Sequence, residues 1–225
     1  MNDAEAEPKS GIAAPRFSRR RAALTVGAAL AVTGALVGAL WAWLAPPVHG
    51  VVALARDGER VRAHLGNESD HFFVAPFLLV GMLCVVGVVA AVAVWQWRAH
   101  RGPVMTAALA SGCMLAAGAA AGVGALLVRL RYGTIDVAAA PVTPEHRVHY
   151  VVEAPPVFFG HSPLQAVLTI LFPAAVAALV YALAAVSTER DDLGAWPAVE
   201  VPAFVPSVTA DFTAESAPPS GPSSP

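Results

Sequence analysis

Four apolar runs, residues 22–45, 72–95, 104–128 and 164–187, contain no charged side chain, and nothing else constrains the fold of this chain as strongly. At 1.5 Å rise per residue, about 24 residues form a helix of roughly 36 Å, enough to cross a hydrocarbon core of about 30 Å with some tilt. In lipid every backbone N–H and C=O must find its partner within the segment, so runs this apolar are expected as helices. Membrane β-strands would alternate polar and apolar residues, and none of the four runs does so. A composition of 56% hydrophobic and 13% charged residues agrees with an integral membrane protein. The expected fold is all-α, an up-down bundle of four transmembrane helices.

The charges in the connections give the expected threading. Lys9, Arg16, Arg19, Arg20 and Arg21 precede the first run, and no basic residue follows it until Arg56. The positive-inside rule then puts the N-terminus in the cytoplasm, and four crossings return the C-terminus to the same side. Arg98 and Arg101 in the short connection 96–103 agree, whereas Arg129 and Arg131 at the outer end of the third helix run against the rule. Ser18-Arg19-Arg20-Arg21 imitates the start of an export signal. The apolar core behind it exceeds the roughly 7–15 residues of a cleaved signal, so this helix is expected to be retained. The layout is a cytoplasmic tail (1–21), a membrane domain (22–187) with outer loops 46–71 and 129–163, and a disordered cytoplasmic tail (188–225) rich in Pro, Ser and acid. The expected location is the plasma (inner) membrane.

The contents of the runs exclude several functions. Pumps need ionisable side chains facing the bundle interior, and these helices have none. Haem held between helices needs His at membrane depth, but all seven His fall in connections. Cys84 and Cys113 form no CxxC pair, which leaves them as inert buried thiols. No catalytic residue, cofactor or metal site is read from the sequence, and enzymatic activity is not expected. The basic residues are scattered, so nucleic acid is not an expected partner.

Gly34 and Gly38 in the first run, and Gly118 and Gly122 in the third, lie four apart, the spacing that lets helices approach closely in lipid. Ala174, Ala178 and Ala182 draw a similar stripe on the fourth. Pro173 should kink that helix, whereas Pro76 sits in the first turn of the second, where its missing N–H costs little. Trp41, Trp43, Trp95 and Trp97 are expected in the interfacial aromatic belts.

The outer loops are expected to form a small extracytoplasmic cap. In the first, Val51, Leu54, Val61 and Leu65 recur at helical spacing, with Asp57–Arg60 and Glu59–Arg62 as i,i+3 pairs, which predicts an amphipathic interfacial helix. In the second, Thr134–Val137 and Val148–Val152 predict a β-hairpin, with Val148, Tyr150 and Val152 on one side of its second strand. Paired Phe at 72–73 and 158–159 should anchor the returns to the bilayer. Six of the seven His (His49, His64, His71, His146, His149 and His161) fall in these loops. Together with Glu68 and Asp70 they offer imidazole and carboxylate for a divalent metal or a pH response, although ordinary loop histidines are the expectation. Arg56, Arg60, Arg62, Arg129 and Arg131 form a candidate outer basic patch for an anionic lipid headgroup. Seven outer acids (Asp57, Glu59, Glu68, Asp70, Asp136, Glu145 and Glu153) are expected to neutralise that patch.

Five segments, LWAWLAPPVHGVVALARDGERV (40–61), HFFVAPF (71–77), WQWRAHRGP (95–103), GVGALLVRLRYG (122–133) and APPVFF (154–159), are distinctive together. Through them residues 20–187 resemble a family of actinobacterial, especially mycobacterial, four-pass membrane proteins built on a domain of unknown function. The resemblance implies an inner-membrane protein and brings no functional residues with it. The leading expectation is a non-enzymatic accessory or scaffold protein of the cell envelope that binds partner proteins or lipid through its outer loops. The alternative is a small transporter subunit or a lipid-handling membrane protein.

Overall fold

The structure, a computed structural model, describes residues 18–188. Most of the two predicted tails therefore lies outside the described residues. Four long helices follow the four apolar runs: α1 (Arg19–Leu44), α2 (His71–Gln96), α3 (Pro103–Tyr132) and α4 (Pro163–Val186). All four are long and apolar enough to cross a membrane. α1 starts three residues before its apolar run because Ser18 caps it, accepting from the Arg21 N–H at 3.3 Å. α3 continues past its apolar run to Tyr132, with Arg129 and Arg131 in a last turn where cations favour the helix dipole. Gly133, at φ 71°, ends it in a conformation that side chains rarely adopt.

The directions alternate, as in an up-down bundle, but sequence neighbours are not the principal partners. α1 packs most extensively on α3, α2 on α4, and α3 on α4. Small residues explain the first pair. A β-carbon at Gly34 or Gly38 would fall within 3.0 Å of the Ala116 or Ala120 carbonyl oxygen, so only glycine permits this approach. Along the same seam Leu30 lies over Gly112, and the Trp41 ring lies over Gly124. The partners advance together along both helices, so α1 and α3 run parallel. α2 and α4 are also parallel: Gly87 fits against Pro173 and Ala177, and Trp95 meets Tyr181 edge-on at 5.2 Å between centroids.

Three helix expectations change. Gly118 and Gly122 meet nothing, and the packing face of α3 is Gly112, Ala116, Ala120 and Gly124. On α4 the buried positions are Thr169, Pro173, Ala174, Ala177 and Tyr181, whereas Ala182 is exposed. Trp41 is no belt residue. It is fully buried and donates its indole N–H to the Ala75 carbonyl at 2.7 Å, joining α1 to α2. Trp43 is exposed as a belt residue would be.

At the opposite end the α2–α3 connection is clamped to α4. The Arg101 guanidinium lies 4.2 Å from the Trp95 ring centroid and its Nε–H donates to the Trp95 carbonyl at 2.9 Å. The Gly102 N–H donates to the Tyr181 hydroxyl at 3.2 Å, placing the start of α3 beside the end of α4.

The cap is a sheet, not a helix. β1 (Val48–Leu54) and β2 (Arg60–His64) replace the predicted interfacial helix, and β3 (Val148–Glu153) comes from the other loop. The strand order is β2-β1-β3, antiparallel throughout. Asp57-Gly58 makes the turn between β1 and β2: Gly58 takes φ 88°, and the Asp57 carboxylate accepts the Glu59 N–H at 3.2 Å. The predicted hairpin within the second loop does not form. Residues 134–137 are not a strand, and β3 pairs instead with the free edge of β1 in a register from Val48↔Glu153 to Ala53↔Val148. Pro141 and Pro144, without N–H donors, interrupt the closer alternative.

The seam between α1 and α3 makes a direct prediction. Gly34→Leu or Gly38→Leu should each cost about 2–3 kcal/mol by overpacking, whereas Gly118→Leu and Gly122→Leu should leave stability unchanged. Thermal unfolding of the four variants in one detergent checks this, and equal losses at all four positions would contradict the packing face.

Candidate functional site

Side chains alternate across a strand, so the pairing register assigns each cap residue to a face. On one face β1 presents Val48, Gly50 and Val52, all buried. The same face carries Arg60, Arg62 and His64 from β2 and His149, Val151 and Glu153 from β3. Gly50 lies between the outer strands without a side chain. Across it Arg62 forms an ion pair with Glu153, and His64 Nε2 lies 3.8 Å from the same carboxylate. The His64 ring also meets Phe72 edge-on at 5.0 Å, tying β2 to the start of α2.

The opposite face is apolar except at one end, where His49 lies opposite Val152. The remainder comprises Val51 and Ala53 of β1, Val61 and Ala63 of β2, and Val148, Tyr150 and Val152 of β3. Val61 is 49% exposed, Val148 51%, Tyr150 72% and Val152 41%. These side chains form an exposed apolar row on a sheet whose reverse side carries the ion pair. β3 is also an edge strand, whose far edge makes no backbone hydrogen bond among the described residues.

The sheet is fixed to the long helices at one corner. A short 3-10 turn, Gly66–Asp70, runs directly into α2 and carries Glu68. One oxygen of Glu68 accepts from the His49 N–H at 2.9 Å, with His49 Nδ1 at 3.0 Å and His71 Nδ1 at 3.1 Å. His71 Nδ1 also lies 2.8 Å from the Pro47 carbonyl. Both neighbours of that nitrogen are acceptors, so it carries the proton. The His49 main-chain donor, then its imidazole, hold the Glu68 carboxyl below its ordinary value. Here the sequence grouping of Glu68 with His71 holds, and His49 joins them. Among the described residues no group of three or more His, Cys, Asp or Glu is placed to hold a metal ion.

The arginines of the predicted basic patch are distributed over two elements. Arg56 sits at the β1–β2 turn, Arg60 and Arg62 lie on β2, and Arg129 and Arg131 lie on the last turn of α3. Among the described residues, Arg62 alone of the five has a carboxylate within ion-pairing reach. The expected neutralisation therefore fails for the other four. Several acids are otherwise engaged: Glu68 with the histidines, Asp57 with its own turn, and Asp136 with the N–H groups of Ala138 and Ala139. Arg131 instead lies over the Tyr132 ring, 5.3 Å from its centroid.

Sequence reasoning found the exposed row Val148, Tyr150 and Val152 but not its partners on β1 and β2. The available signal was Asp57-Gly58 between the valine-rich stretch 48–54 and the alternating stretch 60–64, which fits a hairpin. Val51, Val61 and Leu65 are all odd-numbered, so their spacing fits one face of a hairpin as well as one face of a helix.

The Glu68 corner has a defined response to acid. A carboxyl whose folded pKa is lowered contributes fully above its unfolded value and loses that contribution as pH falls through the folded value. Protection of the His49 amide from hydrogen exchange should therefore persist down to the ordinary glutamate value of about 4.3 and be lost only as the pH falls below it. Glu68→Ala should remove the protection at pH 7. A His49 protection factor indifferent to both changes would show that the corner is not held by Glu68.

The family described as "Protein of unknown function (DUF2567)" matches residues 30–195. The uncharacterized protein Rv1591 of Mycobacterium tuberculosis is 58% identical over 172 residues, covering 76% of this chain and 89% of that protein. The uncharacterized protein ML1222 of Mycobacterium leprae is 55% identical over 176 residues, covering 78% of this chain and 89% of its own length. No solved structure matches. The match takes in α1 from residue 30 onward, the other three helices and all three strands of the cap, and the chain belongs to the DUF2567 family.

Proposed function

We propose that this chain is a non-enzymatic accessory or scaffold protein of the cell envelope, whose sheet docks a partner protein outside the membrane. In this reading the four helices hold it in the plasma membrane with both termini cytoplasmic and the sheet extracytoplasmic. The observation that carries the reading is the one-sided sheet, which exposes Val61, Val148, Tyr150 and Val152 while its other face is covered or charged. The open edge of β3 offers main-chain hydrogen bonds to an added strand, and the alternating side chains beside it offer selectivity. Arg56, Arg60, Arg129 and Arg131, which meet no carboxylate among the described residues, are available to anionic lipid headgroups. The bundle interior favours this reading over a transporter subunit. Its two buried clusters are apolar apart from the Tyr181 hydroxyl, the Cys113 thiol and the Trp41 indole N–H, which is satisfied by Ala75, and Thr169 is the one further buried polar residue within the four helices.

Three experiments test the proposal. In a Cys84- and Cys113-free background, a cysteine at Gly58 should react with an impermeant maleimide in intact cells. Reaction only after lysis would reverse the threading. A photo-crosslinking residue at Tyr150 or Val148 should capture one protein in the native host, while the same residue at His149, on the opposite face, should capture none. Equal capture from both faces, or capture of lipid alone at Tyr150, would overturn the docking role. Tyr150→Asp should reduce partner recovery at least tenfold without changing the amount of protein in the membrane.

A further inference from the structure

A second feature lies away from the sheet. Between α2 and α4, towards the cap end, a groove of about 370 Å³ is lined by Phe77, Val80, Phe159, Leu168 and Phe172, with Gln165 and Thr169 as its polar members. This volume is within the range of small-molecule sites. Except for Phe159, the lining residues belong to helices apolar enough to cross a membrane, so in a bilayer the groove opens towards lipid hydrocarbon.

The polar groups define what else the occupant must offer. The Thr169 hydroxyl donates to the Gln165 main-chain carbonyl at 2.7 Å and so has no proton left for a ligand. The side-chain oxygen of Gln165 accepts from the Ser162 N–H at 3.3 Å, which fixes the orientation of the amide. Gly160 leaves the room for this, because a β-carbon there would meet all three atoms of the Gln165 carboxamide. The Gln165 Nε2 is left with two protons and no acceptor among the described residues.

Depth identifies the acceptor. α4 has 24 residues and is about 36 Å long, so centred in a core of about 30 Å it overhangs each side by roughly 3 Å. Gln165, its third residue, therefore lies at the hydrocarbon boundary, where the ester linkages of membrane lipids are found. From there the groove descends along Leu168, Thr169 and Phe172, about 10 Å into the core.

We propose that this groove seats one acyl chain of an ester-linked membrane lipid, with the Gln165 amide donating to the ester carbonyl. This site stands independently of the docking role of the sheet. The test uses the full chain in nanodiscs containing equal amounts of diester phosphatidylglycerol and its diether analogue, followed by gentle release and native mass spectrometry. Wild type should retain one lipid and prefer the diester roughly fivefold, the worth of one hydrogen bond. Gln165→Met should keep the bound chain and lose the preference. Leu168→Trp and Phe172→Trp, at positions that are 55% and 56% exposed and so outside the packed core, should fill the groove and lose the lipid. Retention by both Trp variants at the wild-type level would overturn the site. Wild type without preference for the diester would overturn the role of Gln165.

Discussion

The close contact of α1 with α3 is the interaction on which the remaining architecture depends. It exists because Gly34 and Gly38 remove the side chains that would strike the Ala116 and Ala120 carbonyls. Lipid gives helices little hydrophobic reason to associate, so the depth of backbone approach decides which pairs form. Because α1 and α3 are parallel neighbours, their C-terminal ends emerge side by side. The loops that follow them then share one end of the bundle, and β1 meets β3 across a gap of about a hundred residues in sequence. A bundle arranged by sequence order would not bring these two ends together so directly.

The sheet in turn converts two loops into one surface with two distinct sides. Gly50 admits Arg62 and His64 to Glu153 on one side, and the register places a row of valines with Tyr150 on the other. Neither loop alone would hold such a face, because β1 and β2 form only a hairpin and β3 is a lone strand. An isolated two-stranded ribbon in water is marginal, and the third strand supplies what it lacks.

What could be read from the sequence follows the range of the physics involved. The four spans emerge within a few residues of their apolar limits because solvation by lipid acts on each segment separately. The packing glycines of α1 were legible by spacing. On α3, however, Gly118 and Gly122 carry the same spacing as the true face, whose members include Ala116 and Ala120. Phase on a helix is set by the partner, and the partner is not a local property. Trp41 illustrates the same point, since its position near a helix end suggests an interfacial belt while its indole is spent on Ala75 inside the bundle. In the cap the local hairpin signal at Asp57-Gly58 was present and was outweighed by a helical spacing. The pairing of β1 with β3 had no local signature at all. The clustering of His49, Glu68 and His71 was half visible, through the closeness of Glu68 to His71 in the chain.

The corner at Glu68 has a mechanical consequence. The turn carrying it runs into α2 without an intervening loop, and its carboxylate grips the first strand through both main chain and side chain. A load applied to the sheet is therefore transmitted along a stiff path to α2, and through Gly87 against Pro173 to α4, rather than dissipated in slack chain. The cap and that helix pair are thereby joined as one lever, with its fulcrum at the Glu68 turn.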